Sequence, residues 1–162
     1  MPNVLTIEPF TPEAFAPFGE VISIAVALRQ FPINNGTTQR FHDLARADCE
    51  SEGGRTGISL CRAQPRALPF VVTMLERHPL GSQAFVPLSK TPYLIVVSES
   101  PQHAPRCFKA RDGAGVNYRR GVWHHPLLAL EQESEFLIVD RIGNVPNCEE
   151  AALPQAWVIP AL

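Results

Sequence analysis

Short apolar stretches, each bounded by proline or glycine, alternate with polar segments along most of this chain. They are rich in β-branched and aromatic residues, and short runs of this kind between turn residues are typical of β-strands. The strands predicted in this way cover residues 20–26, 56–62, 70–76, 84–88, 93–98, 106–110 and 136–141.

Only one segment, near the start of the chain, has a convincing helical pattern. Thr11 is a helix-capping residue, and Pro12 follows at the first helical position. Phe15 and Phe18 continue at helical spacing before Gly19 ends the helix. Many short strands with one short helix predict a mainly β barrel or sandwich, in a single domain over residues 1–162.

Turn-forming residues give two further predictions. Asn34, Asn35 and Gly36 predict a tight turn, because asparagine and glycine tolerate positive φ. Beyond residue 140, asparagine and proline recur at Asn144, Pro146, Asn147, Pro154 and Pro160. Since proline removes a backbone donor, we expect this tail to be irregular and to wrap the surface.

The composition limits the classes of partner. The chain has 162 residues, of which 45% are hydrophobic and 19% charged, as in a globular domain with its own core. A net charge of -2 gives no broad attraction for nucleic acid or anionic lipid. No apolar run reaches the ~20 residues of a membrane-spanning helix. Four cysteines without C-x-x-C spacing or a secretory signal favour reduced thiols in a cytoplasmic protein.

A first candidate site contains Glu76, His78 and Gln83. In an extended segment Glu76 and His78 project from the same face, and a turn through 79–81 would bring Gln83 alongside. Carboxylate and imidazole suit a divalent transition metal, whereas an amide is a weaker ligand and a good hydrogen-bond partner for substrate. The alternative is that Glu76 pairs with Arg77 or another cation and that His78 is only a turn residue.

A second candidate site contains the consecutive residues His124 and His125. Neighbouring residues of a strand point to opposite sides, so only one imidazole can face a shared interior. Trp123 and Leu127 would bury on the side opposite His124, which favours His124 as the inward residue. The alternative is that one histidine hydrogen-bonds in the core and the other is exposed.

Several arginines are candidates for holding an anion, since a guanidinium group matches a carboxylate in two hydrogen bonds. They are Arg40, Arg62, Arg119, Arg120 and Arg141. Arg62 is the best candidate because it ends an apolar run in which an unpaired charge would be costly to bury. Arg141 is expected to pair with Asp140 instead. Cysteine chemistry at Cys61 is not favoured, because nothing nearby in the sequence would lower the thiol pKa.

Longer strings are more specific than these single residues. They are FPINNG at 31–36, RFHDL at 40–44, RAQP at 62–65, LERHPLGSQAFVP at 75–87, GVNY at 115–118 and GVWHHPL at 121–127. Together they resemble the ureidoglycolate lyase family, also called ureidoglycolate hydrolases, over nearly the whole chain. Gly121 and His124 also follow the second cupin motif loosely, and Glu76, His78 and Gln83 stand where cupins usually carry two histidines and a glutamate.

The resemblance implies a cupin-like β-barrel of the double-stranded β-helix type, a homodimer, and cleavage of (S)-ureidoglycolate to glyoxylate and urea in allantoin degradation. It suggests a divalent metal, with nickel as the named ion, and no organic cofactor. The residues carried over as metal ligands are Glu76, His78, Gln83 and His124. Those carried over as catalytic groups are His124, His78 and Glu76. The expected substrate-binding residues are Arg62, Asn35, Arg40, His42 and Gln83.

The substrate of that family defines the chemistry to be expected. One carbon of ureidoglycolate bears a hydroxyl, a carboxylate and the ureido nitrogen, so cleavage is an elimination that consumes no water. We expect Arg62 to hold the carboxylate and His124 or Glu76 to take the hydroxyl proton. His78 or His42 would protonate the departing nitrogen. The alternatives are a non-catalytic cupin-like module that binds a small carboxylate, and an isomerase or oxygenase on the same barrel.

Overall fold

The structure is a computed structural model that describes residues 1–162, and it is mainly β. Its strands are β1 Asn3–Val4, β2 Ile7–Pro9, β3 Gly19–Ile22, β4 Gln30–Ile33, β5 Thr38–Phe41, β6 Arg55–Ala63, β7 Phe70–Arg77, β8 Gln83–Pro87, β9 Tyr93–Ser98, β10 Arg106–Ala110, β11 Gly115–Tyr118, β12 Trp123–His124, β13 Leu128–Ala129, β14 Ser134–Ile142 and β15 Glu149–Ile159. One α-helix, α1, covers Pro12–Phe15, and 3-10 turns cover Ile24–Val26, Asn34–Gly36 and Ser51–Gly53. The predicted mainly β fold with a short N-terminal helix is confirmed.

Two sheets enclose the main core. The larger has the strand order β1-β15-β7-β12-β9-β10-β2, with β13 also paired to β9, and the smaller has the order β3-β11-β8-β14-β6. Pairing is antiparallel except at the two edges of the larger sheet. There β1 pairs in parallel with β15, and β2 pairs in parallel with β10. The sheets curl around a shared interior, as expected for a barrel-like fold. None of the helical segments combines the length and the apolar character needed to cross a membrane.

The main core lies between the sheets. Tyr93, Ile95 and Val97 of β9 pack in one cluster with Tyr118 of β11 and Phe136 of β14. The other face of β9 is also covered, since Leu94 and Val96 belong to a second cluster. Burial on both faces explains why this strand is a continuous apolar run rather than an alternating one.

The N-terminal helix begins where the sequence predicts, but it ends at Phe15 rather than just before Gly19. The Thr11 side chain accepts a hydrogen bond from the Ala14 amide at 3.2 Å, and Pro12 occupies the first helical position. Phe15 is fully buried and packs edge to face on Phe108 of β10, with ring centroids 5.5 Å apart. Burial of one aromatic side chain contributes roughly 1.5–3 kcal/mol, so Phe15 ties this one-turn helix to the core.

The predicted irregular tail is wrong. The structure has an eleven-residue strand, β15, which pairs antiparallel with β7. Pro154 falls in the irregularity between Ala152 and Trp157, where the register shifts, so its missing backbone donor does not interrupt the ladder. This strand brings residues after 147 alongside the end of β7.

The turn predicted at 34–36 is confirmed, since Asn34, Asn35 and Gly36 all have positive φ. It connects β4 and β5, which form a separate two-stranded sheet. Residues 34–40 of this hairpin are exposed.

A candidate active site between the two sheets

The larger sheet places two of the predicted site residues side by side. Glu76 of β7 lies directly opposite His124 of β12, and His124 in turn lies opposite Val97 of β9. Directly opposite residues of antiparallel strands project from the same face. Because Val97 belongs to the main core, this face points into the interior, and His124 is only 2% exposed.

Three side chains converge at this point. His124 Nε2 lies 3.5 Å from Glu76 Oε1, and His78 Nε2 lies 3.9 Å from the same oxygen. The two imidazole centroids are 5.2 Å apart. The ligand atoms of all three residues lie within 4.8 Å of one another. The structure therefore brings together Glu76 and His78 from one segment of the chain and His124 from another.

Backbone carbonyls determine which nitrogen of each imidazole carries a proton. His78 Nδ1 lies 2.8 Å from the Asn147 carbonyl, and His124 Nδ1 lies 2.9 Å from the Val122 carbonyl. A carbonyl oxygen can only accept, so each Nδ1 donates, and in the neutral ring Nε2 keeps its lone pair. Both Nε2 atoms are buried and have no hydrogen-bond partner in the chain. They are free to bind a metal or to accept a substrate proton.

Glu76 is the negative charge of the site. Its interaction with the His124 side chain lowers the pKa of the carboxyl group, while burial opposes the shift. A separation of 3.5 Å is at the outer limit of a hydrogen bond, so His124 attracts Glu76 mainly through the positive charge that its imidazole carries when protonated. Arg77, the alternative partner considered from the sequence, pairs with Glu149 at 2.7 Å instead. Glu76 therefore faces the histidines rather than a surface cation.

The smaller sheet forms the opposite wall. Tyr118 of β11 stacks on His124, with ring centroids 4.1 Å apart. Gln83 of β8 lies directly opposite Tyr118 and so shares its inward face. Gln83 Nε2 donates to Asp140 Oδ2 at 3.1 Å, whereas Gln83 Oε1 is buried without a partner. The sequence prediction that Gln83 belongs near the site is consistent with this placement.

Sequence reasoning did not single out Tyr118 or Asp140. Tyr118 is 3% exposed, and burial raises its pKa, with the Glu76 charge adding to the shift. Its hydroxyl group therefore stays protonated at neutral pH. The string at 115–118 contained Tyr118, but its contact with His124 depends on how the two sheets pack. Asp140 faces inward because it lies opposite Gln83 in the sheet register.

The three converging residues fit a divalent metal ion. Two imidazole nitrogens and one carboxylate are a common ligand set for transition metals. The lone pair of each Nε2 is unused, and each Nδ1 is oriented by a backbone carbonyl, as is usual for metal-binding histidines. The chemistry of the donor set and the two unpartnered nitrogens therefore agree with a metal centre.

His125 lies on the other side of the strand, as the alternation predicted. Its ring packs edge to face on Phe70, with centroids 5.3 Å apart, and its Nδ1 donates to the Pro126 carbonyl. Burial lowers the pKa of His125. It is a neutral packing residue outside the three-residue cluster.

Arg62 is not at this site, and the prediction that it faces the interior is wrong. It forms ion pairs with Glu135 at 3.1 Å and Glu133 at 3.3 Å, and 63% of its side chain is exposed. The sequence argument assigned the apolar residues of β6 to the core, but Ile58 and Leu60 are exposed on the same side as Arg62. Cys61, which lies on the opposite face of the strand, packs against the main core.

The remaining predicted wall residues lie on or beside the β4–β5 hairpin. Asn35 and Arg40 are exposed, and His42 packs against Phe31 with ring centroids 5.4 Å apart. None of them forms a hydrogen bond or an ion pair with Glu76, His78 or His124 of the same chain. Their role in substrate binding stays a prediction.

The predicted pair between Asp140 and Arg141 is wrong. Arg141 Nε donates to the Ser51 carbonyl at 3.0 Å, and Arg141 Nη2 donates to the Glu52 carbonyl at 3.1 Å. Asp140 accepts from Gln83 instead. The two neighbours project to opposite faces of β14, so they serve different partners.

The cysteines show no sign of activation as nucleophiles. Burial raises the pKa of Cys61, and it raises the pKa of Cys107 to about 12. Cys148 lies nearest the site, with Sγ 3.8 Å from Glu76 Oε2, and burial together with the Glu76 charge raises its pKa as well. Each is therefore a thiol at neutral pH, which argues against covalent cysteine catalysis.

Comparison with known proteins gives matches over nearly the whole chain. A family model described as ureidoglycolate lyase matches residues 2–160. The chain is 54% identical over 160 residues to ureidoglycolate lyase of Burkholderia cepacia, covering 96% of this chain and 90% of that protein. It is 53% identical over 162 residues to ureidoglycolate lyase of Rhizobium etli (strain CIAT 652), covering 98% and 97%. Among solved structures, a dTDP sugar isomerase from Desulfovibrio desulfuricans G20 has a TM-score of 0.47 at 16% identity, covering 82% of this chain and 83% of that one.

Proposed function

Because this chain belongs to the ureidoglycolate lyase family, we propose that it is a carbon–nitrogen lyase that cleaves ureidoglycolate to glyoxylate and urea. The observation that carries the proposal is the convergence of Glu76, His78 and His124 in the interior, with two unused imidazole nitrogens. A module that only binds a small carboxylate would not need three titratable groups at one point, so we do not favour that alternative.

The reaction needs one proton to move between two atoms on the same carbon. The hydroxyl oxygen loses its proton as the carbon–oxygen double bond of glyoxylate forms. The bond from that carbon to the ureido nitrogen breaks, and the nitrogen gains a proton to become urea. No water is consumed, so a base and an acid held beside the substrate are sufficient.

His124 is the best base for the hydroxyl proton. Its Nε2 carries the lone pair because its Nδ1 donates to the Val122 carbonyl. Glu76, at 3.5 Å from Nε2, stabilises the imidazolium that forms when the proton is taken. His78 Nε2 lies near the same carboxylate oxygen, so a protonated His78 is placed to give its Nε2 proton to the departing nitrogen. The proton taken by His124 then returns to His78, and both rings are back in their starting state. Positioned proton transfer of this kind is typically worth about 10²–10⁴-fold in rate.

As the alternative to direct proton transfer by the imidazoles, we propose that Glu76, His78 and His124 hold a divalent metal, for which the family resemblance suggests nickel. Their Nε2 lone pairs would then be ligands rather than the base and the acid. When bound there, such an ion supplies positive charge for the substrate carboxylate and lowers the pKa of the substrate hydroxyl. Arg62 cannot supply this charge from the outer face of β6. Gln83 is better suited to hydrogen bonding with substrate than to ligation, because an amide is the weaker ligand.

The wider setting is part of the same proposal: a cytoplasmic homodimer that acts in allantoin degradation. Support for a reducing compartment comes from four free cysteines. Support for a dimer comes from Ile58 and Leu60, which are 75% and 67% exposed on the edge strand β6 and offer apolar surface for a second copy to cover. Sedimentation equilibrium tests the dimer against the mass of a single 17.9 kDa chain.

The test of the activity follows both products of one reaction. Purified protein is incubated with ureidoglycolate, and glyoxylate and urea are measured together against the uncatalysed background, with and without a chelator. We expect equal yields of the two products. Loss of activity with chelator and its return with one added metal would identify the ion. Wild-type protein that releases neither product above background would contradict the proposed function.

A further inference from the structure

Asp140 and Gln83 form a pair that the proton-transfer steps do not use. Their strands, β14 and β8, place them directly opposite each other on the inward face of the smaller sheet. Gln83 Nε2 donates to Asp140 Oδ2 at 3.1 Å. We propose that Asp140 is a positioning residue that turns the Gln83 amide so that its carbonyl oxygen accepts an N–H of the substrate's ureido group, an inference that rests on the proposed function.

The carboxylate decides which end of the amide faces the site. The two ends of a glutamine amide have nearly the same shape but opposite hydrogen-bonding character. An ionised Asp140 can only accept, so it selects the NH₂ end of Gln83 as its partner. The carbonyl oxygen of Gln83 is then the end that remains for another partner.

That oxygen lacks a partner within the chain. Gln83 Oε1 is buried and accepts no hydrogen bond. Buried acceptors without a donor are rare in folded proteins, because the group has lost its water without gaining a replacement. A ligand that brings a hydrogen-bond donor would satisfy it.

The ureido group is the part of the substrate that matches. The carboxylate of ureidoglycolate only accepts hydrogen bonds, and its hydroxyl proton is assigned to His124. The ureido N–H groups are the remaining donors. Gln83 lies opposite Tyr118, whose ring stacks on His124, so the amide stands on the wall that faces the histidines. A substrate spanning the interior would meet His124 at its hydroxyl end and Gln83 at its ureido end.

This arrangement makes Gln83 a determinant of specificity. A site built to pair with a substrate N–H rejects analogues without that donor, because its buried acceptor is then left unsatisfied. Asp140 would contribute to specificity only through Gln83, since its own hydrogen bond is to the amide.

The test uses two single variants and their combination. Asp140→Asn removes the fixed choice of amide orientation, because an amide partner can either donate or accept. Gln83→Glu places two carboxylates together. The double variant Q83E/D140N reverses the pair with no change in net charge, and one carboxylate oxygen can still face the site. Glu20→Gln is the matched control, since Glu20 accepts from the Asn117 amide at 3.2 Å on the outward face of the same sheet.

We expect Asp140→Asn to raise KM for ureidoglycolate by about tenfold with a smaller effect on kcat, as for the loss of one charge-assisted hydrogen bond. Gln83→Glu should lower kcat/KM further, and the double variant should recover activity above that of Gln83→Glu. Inhibition by urea should weaken in Asp140→Asn, while inhibition by glyoxylate should not change.

The outcomes separate the two proposals. If wild-type protein cleaves ureidoglycolate but Asp140→Asn behaves like Glu20→Gln, with unchanged KM and urea inhibition, the role of Asp140 is overturned and the lyase activity stands. If the double variant is no better than Gln83→Glu, the orientation argument is overturned as well. Inactive wild-type protein would instead overturn the proposed function itself.

Discussion

Tyr118 and His124 stack face to face, with ring centroids 4.1 Å apart and ring planes 10° from parallel. The two residues belong to different sheets, so the plane of the imidazole depends on how the sheets pack. The Val122 carbonyl, which accepts from His124 Nδ1, fixes the rotation of the ring within that plane. Together these contacts hold Nε2 toward Glu76.

The stack predicts that the ring of Tyr118 matters more than its hydroxyl group. Tyr118→Phe keeps the stacked ring and should retain kcat within a few-fold. Tyr118→Leu removes it, and since an aromatic pair contributes about 0.5–1.5 kcal/mol, kcat should fall by up to about tenfold. Steady-state kinetics of both variants, with thermal unfolding as a check on folding, measures this. Equal activity of the two variants would argue against the positioning role.

Removal of His78 should weaken metal binding. His78→Ala leaves only Glu76 and His124 of the three converging ligands, so affinity for Ni²⁺ or Mn²⁺ should fall by at least about tenfold. Isothermal titration calorimetry on metal-free protein measures the change. The matched control is His103→Ala, because His103 is exposed and its side chain hydrogen-bonds only with Ser100. An equal effect of the two substitutions would show that the measured metal binds elsewhere.

Cys148 should respond to alkylation with an unusual pH dependence. Burial and the charges of Glu76 and Glu150 raise the pKa of this thiol, so iodoacetamide should react quickly only above the usual cysteine pKa of about 8.5. The added group would lie beside Glu76 Oε2 and should abolish activity. Cys148→Ser should resist inactivation, and Glu150→Gln should move the reaction to lower pH. Rapid alkylation of wild-type protein at pH 7 would contradict this account.

The ion pair of Glu8 with Arg106 should make stability pH-dependent in acid. A hydrogen bond from Arg106 lowers the pKa of Glu8, so the stabilisation is present at neutral pH and is lost as pH falls through that lowered pKa. The two side chains are 30% and 38% exposed, so Glu8→Gln should cost no more than about 1 kcal/mol at pH 7. Urea denaturation should find this difference shrinking as the pH falls below the usual glutamate pKa of about 4.3. Glu135→Gln, at the more exposed pair with Arg62, should have a smaller effect.

Local sequence predicts the buried strands well but not their partners. Strands β9 and β10 have the predicted bounds. Their apolar residues must be buried whichever strands pair with them, so the apolar run alone locates each strand. By contrast, the pairing of Gln83 with Asp140 joins residues far apart in the chain, and the register that creates it is a property of the whole sheet. The motif strings identified Glu76, His78 and His124, while their mutual distances required the fold.

Two errors have specific physical causes. The sequence does not predict β15 because Pro154 and the flanking Pro146 and Pro160 resemble the prolines of a loop, although Pro154 falls at a register shift where a ladder donor is not needed. The sequence argument places Arg62 in the interior because Ile58 and Leu60 lie on the same face of β6, and apolar residues are normally buried. In this chain the face of β6 that carries Ile58, Leu60 and Arg62 points to solvent. The expectation that apolar residues mark the buried face of a strand is therefore wrong for β6.

The most direct test of the central claim compares the two consecutive histidines. His124→Asn retains a side-chain donor for the Val122 carbonyl and removes the Nε2 base, whereas His125→Asn changes only the residue packed on Phe70. The measurement is kcat for ureidoglycolate at saturating substrate, with glyoxylate and urea both followed. We predict that His124→Asn lowers kcat by about 10²–10⁴-fold and that His125→Asn stays within a few-fold of wild type. Nearly full turnover by His124→Asn would contradict the account.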